Sequence, residues 1–110
     1  MNPMIRSNSI RQSAKGELCT MQVVGVCNNN PETTVFAHFR WIGGCGTGIK
    51  PSDLQGGFAC SECNRWTDSP TPKERDAEYE SDRNFYAARS IARTIERLYE
   101  KGIISIRGAT

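Results

Sequence analysis

The segment Cys60-Ser61-Glu62-Cys63-Asn64 is the stretch that decides the fold expected for this chain. Two cysteines separated by two residues place both thiolates on one tight turn, where they can bind a single metal ion from one side. The residue that follows, Asn64, carries an amide oxygen that can bind a hard cation. The segment therefore predicts a metal-binding knuckle with a further candidate ligand directly after it.

A second cysteine pair lies upstream and can complete a tetrahedral zinc site. Residues 20–26, between Cys19 and Cys27, are rich in β-branched side chains, which predicts a hairpin-like pair of short strands that brings the two thiols together. The alternative is that both are simply small buried residues. Cys45, in a glycine-rich loop, is either a replacement ligand or, as we favour, a free thiol. The predicted ligands of the structural zinc are Cys19, Cys27, Cys60 and Cys63.

Composition bounds the class of protein. The 110 residues suit one domain, and a hydrophobic share of 37% is low for a globular chain, so a structural metal would help to stabilise a thin core. No apolar run approaches the ~20 residues that span a bilayer. The first 18 residues lack a secretory segment. We therefore expect a cytoplasmic location, where thiols stay reduced and five cysteines favour metal binding over disulfides.

The charge distribution is uneven. A net charge of +2 is too small to identify a nucleic-acid-binding protein. Residues 1–50 carry five basic and two acidic side chains, whereas residues 51–110 carry nine basic and ten acidic ones. The basic excess therefore falls on the half of the chain that contains His38, its single histidine.

Hydrophobic patterns predict a small α+β protein. Residues 1–16 read as a mobile N-terminal arm, with a short helix over residues 10–15, and residues 17–110 read as the zinc-bound domain. Residues 34–41 alternate between apolar and polar side chains, which predicts a strand with His38 on one face.

Two helices are predicted from the knuckle onward. A short helix covers residues 60–67 and a long C-terminal helix covers residues 72–101. Thr71 and Glu74 can form a capping box at the start of the long helix, and Gly102 ends it. Spacings of three and four predict that its buried stripe consists of Phe85, Ala88, Ile91, Ala92, Ile95, Leu98 and Tyr99.

His38 is the candidate general base. A neutral imidazole can accept a proton from water that attacks a phosphodiester. This chemistry also needs a cation such as Mg²⁺ or Mn²⁺ beside the phosphate, and Asn64 and Asp53 are the candidate oxygen ligands. The alternative is that His38 is structural, as a lone histidine on a strand more often is, and that Asn64 and Asp53 are capping residues.

Basic side chains supply candidate phosphate contacts. On the long helix they recur at every fourth position from Arg89 to Lys101, a spacing that could follow a DNA backbone. Glu96 and Glu100 lie alongside, however, and favour intrahelical ion pairs on a solvated face. The better candidates are Arg40, Lys50 and Arg65.

In this order, the cysteines, His38, Asp53 and Asn64 resemble a zinc-stapled HNH endonuclease, a class also called His-Me finger or ββα-metal. In that family a four-cysteine zinc often frames the motif, a strand histidine is the general base, and a His or Asn after the last zinc cysteine serves the catalytic metal. The match is closer to a small family of lambdoid phage and prophage putative nucleases that includes YbcO and is related to the RecA-dependent Ref nuclease. The matching segments are Cys27-Asn28, residues 30–33, Ala37-His38, residues 45–48, Lys50-Pro51, Asp53-Leu54 and residues 59–61.

The resemblance implies a treble-clef-like ββα-metal core with a long C-terminal helix. It also implies a DNA endonuclease that acts in recombination or DNA processing in a bacterial host cell, with structural zinc, catalytic Mg²⁺ or Mn²⁺, and a recombinase as a further partner. Two positions depart from the pattern. Ala37 stands where HNH enzymes carry Asp, and Asn64 stands where close relatives carry His. Ala37 favours the alternative function, a non-catalytic zinc-stapled module that binds DNA or protein as a recombination accessory factor.

Overall fold

The structure, a computed structural model, describes residues 4–42 and 50–109. Two short 3₁₀ turns, Pro31–Thr33 and Pro72–Glu74, lie between the main elements. In chain order these are helix α1 (Asn8–Gln12), strands β1 (Val35–His38) and β2 (Gly56–Ala59), and helices α2 (Ser61–Trp66) and α3 (Ala77–Glu100). No helix in the described ranges combines the length and apolar character needed to cross a membrane. The architecture is a small mixed α/β one, with a two-stranded sheet and the predicted long C-terminal helix.

The two strands form an antiparallel sheet whose pairing runs from Val35–Ala59 to His38–Gly56. β1 is shorter than the strand predicted over residues 34–41 and ends at His38, while β2 is buried along its whole length. The histidine therefore lies at the last pair of the sheet, where β1 runs into a loop and β2 begins.

α3 packs directly on β2, and glycine permits the close approach. A Cβ atom at Gly57 would lie 2.1 Å from Oγ of Ser90 and 2.9 Å from Oγ1 of Thr94. The Thr94 hydroxyl accepts a hydrogen bond from the amide of Phe58 at 3.1 Å, and the Ser90 hydroxyl lies 2.6 Å from that of Thr20. Small hydroxyl side chains therefore form the part of the contact that faces Gly57, while Leu98 packs in an apolar cluster with Phe58.

The buried face of α3 differs from the predicted apolar stripe. Phe85 is 57% exposed and Ala88 is exposed, whereas Leu98 is buried as predicted. The stripe is displaced because the glycines of β2 leave room only for short side chains on the facing helix. The buried residues of α3 are Arg83, Ala87, Ser90, Thr94 and Leu98.

The start of α3 also lies later than predicted. The carboxylate of Glu74 accepts hydrogen bonds from the amide and hydroxyl of Thr71, so the predicted capping box is present, but it opens a separate 3₁₀ turn. The α-helix itself begins at Ala77, with Asp76 as its N-cap. It ends before Gly102, whose φ of +72° is the left-handed conformation expected after a helix.

Residues 4–16 differ from the mobile arm predicted over residues 1–16. Ile10 is 3% exposed and Ala14 is 2% exposed, and both pack in an apolar cluster with Phe58 and Leu98. The segment is a packed part of the domain because both side chains are buried against apolar residues of β2 and α3.

Residues 19–27 form turns rather than the predicted pair of strands. Gln22 and Gly25 both have positive φ angles, of 49° and 77°, and the amide of Cys27 donates to the carbonyl of Val23 at 2.9 Å. The turns nevertheless bring the two cysteines at the ends of this segment together, as the hairpin was predicted to do.

Candidate active site and metal centre

Four cysteine thiols converge on one point. The Sγ atoms of Cys19, Cys27, Cys60 and Cys63 all lie within 4.8 Å of one another, with 3.9 Å between those of Cys27 and Cys60. A zinc ion with Zn–S bonds of ~2.3 Å has sulfur atoms ~3.8 Å apart at the corners of its tetrahedron. The amides of Gln22 and Cys63 point at the sulfur atoms of Cys19 and Cys60, each at 3.4 Å, and such donors favour the thiolate form. The four cysteines can therefore hold one structural metal ion.

The thiols also influence one another. A hydrogen bond from the thiol of Cys63 lowers the pKa of Cys19 to about 4, and the same bond raises the pKa of Cys63. One thiolate is thus already favoured, and a bound cation would release the remaining protons. Cys45, the fifth cysteine, lies outside the described residues.

His38 is paired with a buried carboxylate. Its Nε2 atom lies 2.9 Å from Oδ1 of Asp53, which is 1% exposed. The other carboxylate oxygen accepts the amide of Ser7 at 2.7 Å and the guanidinium of Arg11. Phe36 contacts the imidazole edge-on, with 5.2 Å between ring centroids. The imidazole is therefore held both by a hydrogen bond and by packing.

The ionisation of Asp53 determines which nitrogen of the neutral His38 imidazole carries the proton. Burial raises the pKa of this carboxyl. Hydrogen bonds, first from the amide of Ser7 and then from its side-chain partners, lower the pKa by more than burial raises it, so the net pKa lies below the ordinary value. An ionised carboxylate can only accept hydrogen bonds, so the facing Nε2 atom of His38 must carry the proton. The lone pair of the neutral ring then lies on Nδ1, which is free of the carboxylate and suited to accept a proton.

His38 and Arg40 each line two clefts, which therefore adjoin at these residues. The first cleft, of about 550 Å³, is also lined by Arg6, Arg11, Lys50, Pro51 and Asp53. The second, of about 320 Å³, is also lined by Trp41, Asn64, Thr67, Asp68, Arg75 and Arg83. Both clefts contain several cationic side chains, so anionic ligands suit them.

Most of the predicted site residues lie around His38. Arg40, Lys50 and Asp53 share the first cleft with it, and Asn64, exposed on α2, shares the second. Arg65 lines neither cleft. Its side chain is 73% exposed and lies 3.5 Å from the carboxylate of Glu62 on the same helix.

Comparison with known proteins identifies the family. A family model described as "Putative nuclease YbcO" matches residues 8–103. The chain belongs to this family. It is 50% identical over 62 residues to "Putative nuclease YbcO" of Escherichia coli (strain K12) and to "Putative nuclease ybcO" of Enterobacteria phage 82. Each match covers 56% of this chain and 65% of the relative, so the chain spans a little under two thirds of these relatives.

A solved structure is also similar to this chain. It is described as the structure of a putative bacteriophage protein from Escherichia coli str. K-12 substr. MG1655, and it aligns with a TM-score of 0.64 at 36% identity. The alignment covers 86% of this chain and 100% of that one. The family match begins at residue 8, which is also the first residue of α1.

Sequence reasoning missed several cationic residues that line the two clefts. Arg6 and Arg11 come from the segment expected to be a mobile arm, and their only sequence signal was the basic excess over residues 1–50. Arg75 precedes α3 and Arg83 lies within it, and no local pattern distinguishes them from solvated cations. Their placement depends on how the helix packs across the sheet.

The basic row on α3 has a structural role instead of the predicted intrahelical pairing. Arg89 donates to the carbonyls of Met21 and Gln22 at 2.5 and 3.0 Å, and Arg97 donates to Glu17 at 2.7 Å. The row thereby fastens the segment before and after Cys19 onto the helix, which helps to position one side of the metal centre.

Proposed function

We propose that this protein is a divalent-metal-dependent DNA endonuclease of the HNH, or His-Me finger, type, with His38 as general base. The observation that carries the proposal is the His38–Asp53 pair at the junction of two cationic clefts. Two further facts support it. The chain order β1–β2–α2, with the cysteine knuckle at the junction of β2 and α2, is the order expected of a ββα-metal site, and the family model is described as "Putative nuclease YbcO".

Asp53 prepares His38 for proton transfer. Nδ1 of the neutral imidazole takes a proton from water as the water oxygen attacks phosphorus and the bond to the leaving oxygen breaks. The imidazolium formed is stabilised by the carboxylate of Asp53, which accepts from Nε2 throughout. Arg40 and Lys50 offset negative charge on the phosphate from the same cleft. A general base of this kind typically contributes about 10²- to 10⁴-fold to the rate.

A divalent cation, when bound, would offset charge on the phosphate and on the leaving oxygen. Asn64 fits as a ligand because its side chain is exposed and lines the second cleft with His38. Asp53 fits less well, since a cation there would have to displace Arg11 or His38. Ala37 is 6% exposed and offers no ligand atom. Mg²⁺ usually keeps several waters and takes substrate phosphate oxygens, which would complete so small a protein ligand set.

The four-cysteine centre is the structural part of the proposal, with zinc as its metal. Cys60 and Cys63 flank the start of α2, so the ion fixes the helix that carries Asn64. A role in phage recombination or DNA processing, with a recombinase as partner, follows from the resemblance described above.

The test is cleavage by purified, zinc-loaded protein. With Mg²⁺ or Mn²⁺, the protein is expected to nick supercoiled plasmid DNA, and His38→Ala is expected to abolish nicking while zinc content and fold are retained. Arg107→Gln, at an exposed residue outside both clefts, is the control for preparation quality. Equal nicking by the wild type and His38→Ala would refute the assignment.

The second candidate function is a non-catalytic zinc-stapled module that binds DNA or protein as a recombination accessory factor. Apolar Ala37 and the fully engaged carboxylate of Asp53 favour it, because both reduce the ligands available to a catalytic cation. DNA binding without divalent ions, together with no cleavage in any metal, would support this function. Repeating the assay with the host recombinase would reveal an activity that depends on that partner.

A further inference from the structure

Arg83 is the single cationic side chain among the buried residues of the described chain, with 7% exposure. Its Nε atom donates to the carbonyl of Thr67 at 3.0 Å, and its guanidinium carbon lies 3.5 Å from the ring centroid of Trp41. Trp41 is itself held by a hydrogen bond of 2.8 Å from its indole nitrogen to Asn84. The guanidinium is thus fixed along its Nε edge and across one face, which leaves its Nη atoms preorganised for a ligand.

The Nη atoms of Arg83 meet carboxylates only at long range, 3.6 Å from Asp68 and 3.9 Å from Glu80. Arg75 repeats the arrangement. Its Nε atom donates to the carbonyl of Pro70 at 3.2 Å, and its Nη2 atom lies 3.8 Å from the same oxygen of Asp68. Two guanidiniums anchored on the main chain therefore converge on one carboxylate that is 80% exposed.

An exposed carboxylate at such distances contributes little to stability and is readily displaced. A phosphate offers more oxygen acceptors and matches the guanidinium fork geometrically. The cleft that contains the two arginines also contains His38 and Asn64. An anion held there would lie beside the proposed reaction centre.

We propose that Arg75 and Arg83 form a subsite for a backbone phosphate of the bound nucleic acid, adjacent to the phosphate that reacts at His38. Asp68 occupies this subsite when nucleic acid is absent. The inference rests on the proposed function for its ligand, but it does not require cleavage. In this proposal the nucleic-acid strand runs from Lys50 in the first cleft, across His38, to Arg75 and Arg83 in the second.

The experiment measures binding, not cleavage. The zinc-loaded 110-residue protein is titrated against a fluorescein-labelled duplex, and separately against one of its single strands, by anisotropy over a range of NaCl concentrations without Mg²⁺ or Mn²⁺. Arg75→Gln should weaken binding and reduce the slope of log K against log salt by about 0.7 to 0.9, the loss of one phosphate contact. Asp68→Asn should tighten binding, because it removes the competing anion.

Arg107→Gln, which removes the same charge from an exposed position outside the clefts, is the matched control and should leave the salt slope unchanged. Arg75 is the primary target because it is 18% exposed, so its replacement disturbs the core less than that of Arg83. Zinc content and circular dichroism verify folding.

Equal effects of Arg75→Gln and Arg107→Gln would overturn the subsite, as would weaker binding by Asp68→Asn or no binding by the wild type at low salt. If Asp68→Asn leaves binding unchanged but abolishes cleavage in Mg²⁺, Asp68 serves the cation and the displacement model is wrong. Wild-type binding with the expected variant effects, but without cleavage in any metal, would refute the endonuclease and retain the subsite.

Discussion

The Nε2 atom of His38 lies 2.9 Å from Oδ1 of Asp53, across 15 positions of sequence. The carboxylate is almost completely buried, and the amide of Ser7 and the guanidinium of Arg11 hold its second oxygen. Three separate parts of the chain therefore fix one imidazole: the end of β1, the loop before β2, and the N-terminal segment. This arrangement gives a lone histidine a defined tautomer.

Replacing the carboxylate should slow catalysis without removing the substrate site. Asp53→Asn is expected to reduce single-turnover nicking in Mg²⁺ by about 10²- to 10⁴-fold, because an amide cannot stabilise the imidazolium as a carboxylate does. DNA affinity, measured by anisotropy, should change little. Asp82→Asn, at an exposed position on α3, makes the same charge change and is the control. Recovery of the Asp53→Asn rate at raised Mg²⁺ would instead identify Asp53 as a ligand of the cation.

Asp53 should also make stability depend on pH. Its pKa in the folded state lies below the ordinary value of 3.8, so it stabilises the fold at pH values above that figure. The contribution is lost as the pH falls through the lowered folded-state pKa. The difference in unfolding free energy between wild type and Asp53→Asn, from urea titrations between pH 3 and 7, should therefore shrink below about pH 4. A difference that is constant over this range would contradict the linkage.

The four-cysteine centre should bind one metal ion per chain. Cys63→Ser is expected to lose zinc and, with it, cooperative thermal unfolding, because binding a structural zinc is coupled to folding. Metal analysis and calorimetry measure the two effects, and Co²⁺ in place of zinc should give the absorption bands of a tetrahedral thiolate site. Cys45→Ser is the control and should retain the metal. Loss of zinc from Cys45→Ser but not from Cys63→Ser would show a different ligand set.

The contact between α3 and β2 should tolerate no side chain at Gly57. Gly57→Ala would place a Cβ atom 2.1 Å from the hydroxyl of Ser90, so it should lower the free energy of unfolding by about 1–3 kcal/mol through overpacking. Ser90→Ala in the same chain should relieve part of this loss, and a double-mutant cycle by urea unfolding measures the coupling. Strictly additive effects would mean that the two residues do not meet.

The N-terminal helix should contribute to stability as part of the domain. Ile10→Ala should cost about 2–5 kcal/mol, since Ile10 is 3% exposed and packs with Phe58 and Leu98. Ile5→Ala is the control: Ile5 is 43% exposed, and its loss should change stability by under about 0.5 kcal/mol. Chemical denaturation of both variants tests the point. Equal effects of the two substitutions would instead support the prediction that this segment is a mobile arm.

Local chemistry made part of this protein predictable. The spacing of Cys60 and Cys63 predicts the tight turn at the start of α2, the alternation around His38 predicts β1, and Gly102 marks the end of α3. Each of these signals acts within a few residues, where backbone geometry and capping are decided. The convergence of four thiols was predicted from the ligand chemistry of zinc instead, and it is present even though residues 19–27 form turns rather than strands.

Tertiary packing decided what the candidate site contains. The partner of His38 is Asp53, and the partner of Asp53 is Arg11, because a helix expected to be mobile folds back over the loop before β2. The burial of Ser90 and Arg83, in place of large apolar side chains, follows from the glycines of β2 and the ring of Trp41 that face them. Hydrogen bonds and packing between residues distant in the chain carry no local periodic signal. Sequence alone therefore predicted Asn64, Asp53, Arg40 and Lys50 as candidates, whereas the pairing of Asp53 with His38 and the further cations of the two clefts were decided by tertiary structure.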